Sequence, residues 1–99
     1  MNSPAEPVTV RILEREYRVM CAPEQRRELM ESALHVDQQM RQVRDGGRIS
    51  SLDKIAVMCA LNMAEELLQL RQQLAERQQK VDQRLHDLAN RLDSALTED

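Results

Sequence analysis

Neither proline nor glycine occurs between Ser51 and Leu96, a run of 46 residues. These are the two residues that interrupt helices most strongly, so the stretch predicts one continuous helix. It reads in two parts. Residues 55–64, Ile-Ala-Val-Met-Cys-Ala-Leu-Asn-Met-Ala, are apolar on every side except at Asn62, and a helix without a polar face has to be covered all round. Beyond Ala64 the pattern thins to a seam of Leu67, Leu70, Leu74, Val81, Leu85, Leu88, Leu92 and Ala95 at threes and fours. This is heptad spacing with one phase slip in the polar patch 76–80, where a left-handed supercoil would locally unwind.

Length then sets the problem. Such a helix spans roughly 70 Å at 1.5 Å per residue, whereas a compact domain of this size has a radius of gyration of about 13 Å. The far half cannot fold back on its own head. Every Leu left in water forgoes about 1.5–3 kcal/mol, and five or more outweigh the net stability of an ordinary domain. The expected partner is another chain, and self-association through a coiled coil is its simplest source.

The first half of the chain reads differently. Residues 1–7 form a polar, proline-containing stretch expected to be a disordered tail. Val8, Val10 and Ile12 alternate with polar residues, and Tyr17, Val19 and Cys21 repeat the alternation with Arg18 outward. With only Glu14-Arg15-Glu16 between them, the two runs predict a β-hairpin, although its turn lacks the usual Gly or Asn. A lone hairpin is marginal in water and needs a surface to pack on. Pro23 and Glu24 then mark a helix start. Leu29, Ala33, Val36, Met40 and Val43 make an inner stripe, widened by Met30 and Leu34, on a helix of about 22 residues stopped by Asp45-Gly46-Gly47. Ser50 and Asp53 have capping-box spacing for the long helix. The fold class is therefore α+β and mostly helical, with a hairpin, an amphipathic helix and a long helix in that order. Its expected parts are the tail 1–7, a small globular head over 8–66 and a coiled-coil segment over 67–97.

Composition narrows the function. The 99 residues include no Trp, no Phe and one Tyr, so Leu, Met, Val, Ile and Ala must fill the core. The net charge is −3; residues 1–50 balance eight Lys/Arg against eight Asp/Glu, and residues 51–99 carry the excess. No basic stripe for phosphates is present, and Tyr17 alone offers no stacking platform, so nucleic acid is not expected as a partner. No apolar run approaches the roughly 20 residues that span a bilayer, and Met1-Asn2-Ser3-Pro4-Ala5-Glu6 lacks the basic and apolar regions of a signal peptide. No membrane association is expected, and the cytoplasm is the expected compartment.

Sites for chemistry are scarce. Cys21 and Cys59 lie far apart without a CxxC spacing and read as small buried hydrophobes. His35 and His86 sit beside the apolar stripes and read as solvated surface. Neighbouring Glu65 and Glu66 point about 100° apart on a helix and do not converge. No phosphate-binding or nucleophile motif occurs, so neither an enzyme, a cofactor, a metal nor a small-molecule substrate is expected. Met30, Met40, Met58 and Met63 read as core filling. Asn62 either fixes register between subunits, as a buried Asn can, or caps a local backbone group. Arg15, at the hairpin tip, and Arg44 and Arg48, beside Asp45-Gly46-Gly47, occupy loop positions where binding residues concentrate.

The ordered set of Val8-Thr9-Val10-Arg11-Ile12-Leu13, Tyr17-Arg18-Val19, Cys21-Ala22-Pro23-Glu24-Gln25, Arg48-Ile49-Ser50 and Ala60-Leu61-Asn62 resembles the bacterial cell-division family ZapA over about residues 7–96. The resemblance implies binding to FtsZ, the tubulin-like GTPase that polymerises at mid-cell, and bundling of its filaments. It implies heads that dimerise, and long helices that join two dimers as an antiparallel tetramer. It also implies FtsZ-contact roles for Arg15, Arg44, Arg48 and Asp53. Glu14 is a departure, since the family usually has Gly just before the turn Arg. A prefoldin-like holding chaperone also combines a hairpin with coiled-coil arms, but its hairpin lies between the long helices. A coiled-coil adaptor with another client is the remaining alternative.

Overall fold

The computed structural model describes residues 4–47 and 51–97. Strands β1 (Glu6–Ile12) and β2 (Arg15–Cys21) form a two-stranded antiparallel sheet, followed by a 3₁₀ turn (Pro23–Gln25) and helices α1 (Arg26–Gly46) and α2 (Leu52–Thr97). The predicted class and element order hold. The chain divides into two compact units, one ending at Asn62 and the other beginning at Met63.

In the first unit, the sheet register pairs Glu6 with Cys21, Val8 with Val19, Val10 with Tyr17 and Ile12 with Arg15. Opposite residues share a face, so the apolar residues of both strands lie together, as their alternation predicts. Glu6 and Pro7, expected in the tail, are the first two residues of β1. Pro7 lacks an N–H, and a strand of a two-stranded sheet has a free edge on which that is tolerated. The turn is also shorter than expected. Arg15 and Glu16 belong to β2, leaving Leu13 and Glu14 as its two central residues.

Ala22 is extended, as residues before proline tend to be, and Pro23 opens the 3₁₀ turn. In α1 the expected stripe is the inner one: Ala33 and Met40 are buried, and Leu29, Val36 and Val43 are half-buried. Met30 and Leu34 are exposed, so the covered stripe is narrower than the sequence pattern. The helix ends at Gly46 with Gly47 extended at φ −145°, and no glycine with positive φ occurs among the described residues. The glycine pair therefore stops the helix without the left-handed cap that is common at this position. Ser50 of the expected capping box lies outside the described residues.

Among the described residues, eight form the core: Val8, Val10, Leu13 and Cys21 from the hairpin, Ala33 and Met40 from α1, and Ile55 and Cys59 from α2. Both cysteines are buried and neither is in a disulfide, as expected. Met58 and Met30, read as core filling, are 41% and 44% exposed. For Met58 the physical reason is that the first unit covers only the Ile55–Cys59 side of the first turns of α2; Met30 lies beside the covered Leu29–Ala33–Val36–Met40 stripe of α1. Val57 and Leu61, about 60% exposed, face away from that contact.

The second unit is helical without a break through Thr97, including the polar patch 76–80. Residues four apart support it: Gln72 donates to Glu76 at 3.4 Å, Gln78 to Asp82 at 3.1 Å and Gln83 to Asp87 at 3.4 Å, each a small contribution to helix stability. Every residue from Ala64 to Thr97 is exposed, and the numbered seam from Leu67 to Leu92 is 43–67% exposed.

Candidate functional site

The turn of the hairpin is the most constrained feature of the first unit. Leu13 and Glu14 have φ of 49° and 66°, and they are the two non-glycine residues with positive φ among the described residues. A two-residue hairpin turn matches the strand twist when both central residues adopt positive φ, which is why Asn-Gly or Asp-Gly is usual there. A residue with a Cβ in this region is disfavoured by about 1–2 kcal/mol.

Contacts from α1 hold the strained pair. The Leu13 N–H donates to Asp37 Oδ1 at 2.8 Å. Arg41 Nε donates to Asp37 Oδ2 at 3.0 Å, and Arg41 Nη1 lies 3.7 Å from Glu14 Oε1. A loop of contacts thus runs from Leu13 through Asp37 and Arg41 back to Glu14. The Leu13 N–H, chiefly, and the Arg41 guanidinium hold the Asp37 carboxyl below the usual carboxylate range, against partial desolvation, with Arg44 adding to the effect. Asp37 in turn raises the pKa of Arg41. The Leu13 side chain is itself buried, so its apolar packing and its N–H act together.

Of the expected contact residues, Arg15, Arg44 and Asp53 fall at the start of β2, near the end of α1 and at the start of α2. Arg15 is the first residue of β2, paired with Ile12 and exposed. Arg44 is half-buried near the end of α1, donates to Asp45 at 3.1 Å, and is close enough to Asp37 to influence its titration. Asp53 is exposed in the first turn of α2. Arg48 lies outside the described residues. Asp53 also lines a cavity of about 260 Å³ with Ile12, Tyr17, Met40, Leu52 and Ala56. Ile12 and Tyr17 lie on the sheet face that also carries Arg15, so the fold places Arg15 and Asp53 at one end of the first unit. Asp37 and Arg41 were not singled out in the sequence; their signal is an acidic residue four before a basic one on one helix face.

Other candidates remain surface groups. His35, His86, Glu65 and Glu66 are exposed. Asn62 is exposed and lines a cleft with Gln39, Gln42, Val43 and Met58. Among the described residues no cluster of three or more His, Cys, Asp or Glu has metal-binding geometry, and no helix is long and apolar enough to cross a membrane.

Fold and surface define a small α+β protein, hairpin first and long helix last, whose exposed groups are charged side chains and apolar stripes. The family model for the cell division protein ZapA matches residues 8–92. The chain is 34% identical over 94 residues to the cell division protein ZapA of Pseudomonas aeruginosa, covering 95% of this chain and 90% of that one. It is 30% identical to the ZapA of Pectobacterium atrosepticum over 95% of this chain and 86% of that one. A solved structure, described as an unknown conserved bacterial protein from Pseudomonas aeruginosa, superposes with a TM-score of 0.72 at 33% identity, covering 89% of this chain and 97% of that one. The chain belongs to the ZapA cell-division family, which is not known as a family of enzymes.

Proposed function

We propose that this chain is a non-enzymatic cell-division factor that binds FtsZ filaments at mid-cell and bundles them as a homo-oligomer. The observation that carries the reading is the apolar seam of α2. It keeps heptad spacing on both sides of one phase slip and is uncovered in a single chain, so self-association is the direct way to remove it from water. The exposed Val57, Met58 and Leu61 on the first unit give a second apolar surface for a head-to-head contact. Arg15, Arg44 and Asp53, at loops and element ends, supply charged groups for the filament, together with Arg48.

The mechanism is multivalent. An oligomer carrying several heads converts its second filament contact into an intramolecular event, so modest individual contacts yield high avidity. The chain's own residues divide the work, with the α2 seam setting the number of heads and the charged residues setting affinity per head. Arg15→Glu reverses a charge at an exposed strand end without disturbing the core, so FtsZ co-sedimentation falls by about tenfold or more at low salt, as for interface charges that steer association. The oligomer, measured by sedimentation velocity, stays intact. Unchanged co-sedimentation of Arg15→Glu and of Arg48→Glu would remove both residues from the contact.

A further inference from the structure

The hairpin turn consists of residues ill suited to its backbone conformation. Leu13 and Glu14 both adopt positive φ, where glycine or asparagine is the usual occupant. Strained conformations of this kind persist when their surroundings over-determine them. The surroundings here converge on one side chain, because Asp37 is 17% exposed and its two oxygens take separate donors. Oδ1 accepts the Leu13 N–H and Oδ2 accepts Arg41 Nε, while Arg41 reaches back to Glu14.

We infer that Asp37 is a positioning residue, which latches the Leu13–Glu14 turn to α1 and so fixes the direction in which Arg15 leaves it. The part of this inference that concerns binding rests on the reading that Arg15 touches the filament. The chemistry requires a carboxylate. Both donors, the Leu13 N–H and the Arg41 guanidinium, need acceptors, and aspartate is acceptor-only on both atoms. Asparagine has nearly the same shape but one acceptor, so its amide nitrogen would face a donor at one of the two positions. Arg15 makes no part of the latch, yet it is the next residue after the strained pair. Its backbone direction is therefore set by the φ values that the latch imposes.

The test uses the full-length chain and Asp37→Ala, which removes both acceptors, with two readouts. Amide exchange at Leu13, measured by NMR, accelerates by about tenfold, as expected for loss of one hydrogen bond. Co-sedimentation with FtsZ filaments falls by about threefold or more, in the range of a misplaced interface charge. Adding Glu14→Gly to Asp37→Ala relieves the strain that the latch opposes and restores co-sedimentation. Adding Glu14→Gln removes the same charge without relieving the backbone and does not restore it. Unchanged Leu13 exchange in Asp37→Ala overturns the latch, and faster exchange with full filament binding overturns its positioning role. A Glu14→Gly double variant no better than the Glu14→Gln one also overturns that role, assigning Asp37 a direct charge effect instead. Should Asp37→Ala fail to fold, recovery of folding by Glu14→Gly supports the latch, and failure of both variants overturns it in favour of a general structural role. If the unmodified chain does not co-sediment with FtsZ, the filament reading and the binding role of the latch fall together, while the exchange measurement still decides the latch itself.

Discussion

Glu14 stands where a glycine would be easiest. At φ 66° its Cβ is disfavoured by about 1–2 kcal/mol, while glycine would lose more backbone freedom on folding by about 0.5–1 kcal/mol. The exposed Arg41–Glu14 pair offsets little. Glu14→Gly is therefore expected to stabilise the folded chain by about 0.5–1 kcal/mol, read as a higher urea midpoint with an unchanged slope. A lower midpoint would show that the turn is not strained at this residue. The Asp37 carboxyl gives a second prediction. Its folded-state pKa is lowered, so its contribution to stability is fully present above the ordinary aspartate value. That contribution is lost as pH falls through the lower folded value. The Leu13 amide resonance is expected to titrate with a midpoint below about pH 3.9, the ordinary aspartate value; a midpoint at or above that value contradicts the hydrogen bond. In the sequence only Glu14 stood out, as a departure from the glycine usual at this point in the family it resembles. Without a glycine the turn carried no marker, and Glu14-Arg15-Glu16 read as the loop because charge is the usual sign of a loop. The Asp37–Arg41 spacing is common on solvated helix faces, and only the tertiary contact with Leu13 separates it from them.

At the scale of elements, periodicity was informative because burial imposes it. The two-residue alternation placed Val8, Val10 and Cys21 correctly, and the four-three spacing placed Leu29, Ala33, Val36, Met40 and Val43 on the inner side of α1. What periodicity could not show is how much of an apolar helix its own chain covers. Residues 55–64 look alike in composition, yet Ile55 and Cys59 are 2% and 3% exposed whereas Val57 is 58% exposed. The difference depends on which side α1 and the hairpin occupy, a tertiary fact. It also separates two substitutions. Ile55→Ala removes a buried side chain beside no compensating group and is expected to cost about 2–4 kcal/mol at any protein concentration. Val57→Ala touches little in one chain, so a cost that grows with protein concentration would locate its cover on a second copy. Equal effects of the two substitutions in dilute solution would contradict the burial of Ile55. Arg15 and Arg44 were legible as loop-placed charges, and Asp53 only through the resemblance; that Arg15 and Asp53 share one end of the first unit needed the fold.

For the molecule as a whole, surface area states the requirement. A folded monomer of this mass typically exposes about 5,800 Å², and this chain exposes 8,760 Å². Exposed apolar side chains contribute to it, among them Leu70, Leu74, Leu85, Leu88 and Leu92 on α2. Burying such side chains contributes about 1.5–3 kcal/mol each, less the cost of association and ordering, so a few of them decide the oligomeric state. Leu85 and Leu88 lie in the second unit, whereas the core residues all belong to the first. The double variant Leu85→Asp, Leu88→Asp places two charges in the seam. It is expected to weaken seam association by about a hundredfold or more, since two buried leucines are lost and two carboxylates would need burial. Circular dichroism should retain the hairpin-bearing unit, and sedimentation velocity should show a smaller species. With filaments, that species should still co-sediment, because Arg15, Arg44 and Asp53 are untouched, but light scattering from bundles should fall towards that of FtsZ alone. Avidity requires heads joined in one particle, so binding and bundling separate in this variant. An unchanged sedimentation coefficient would show that the seam is not the assembly surface, and full bundling by the smaller species would show that one head pair suffices to bridge filaments.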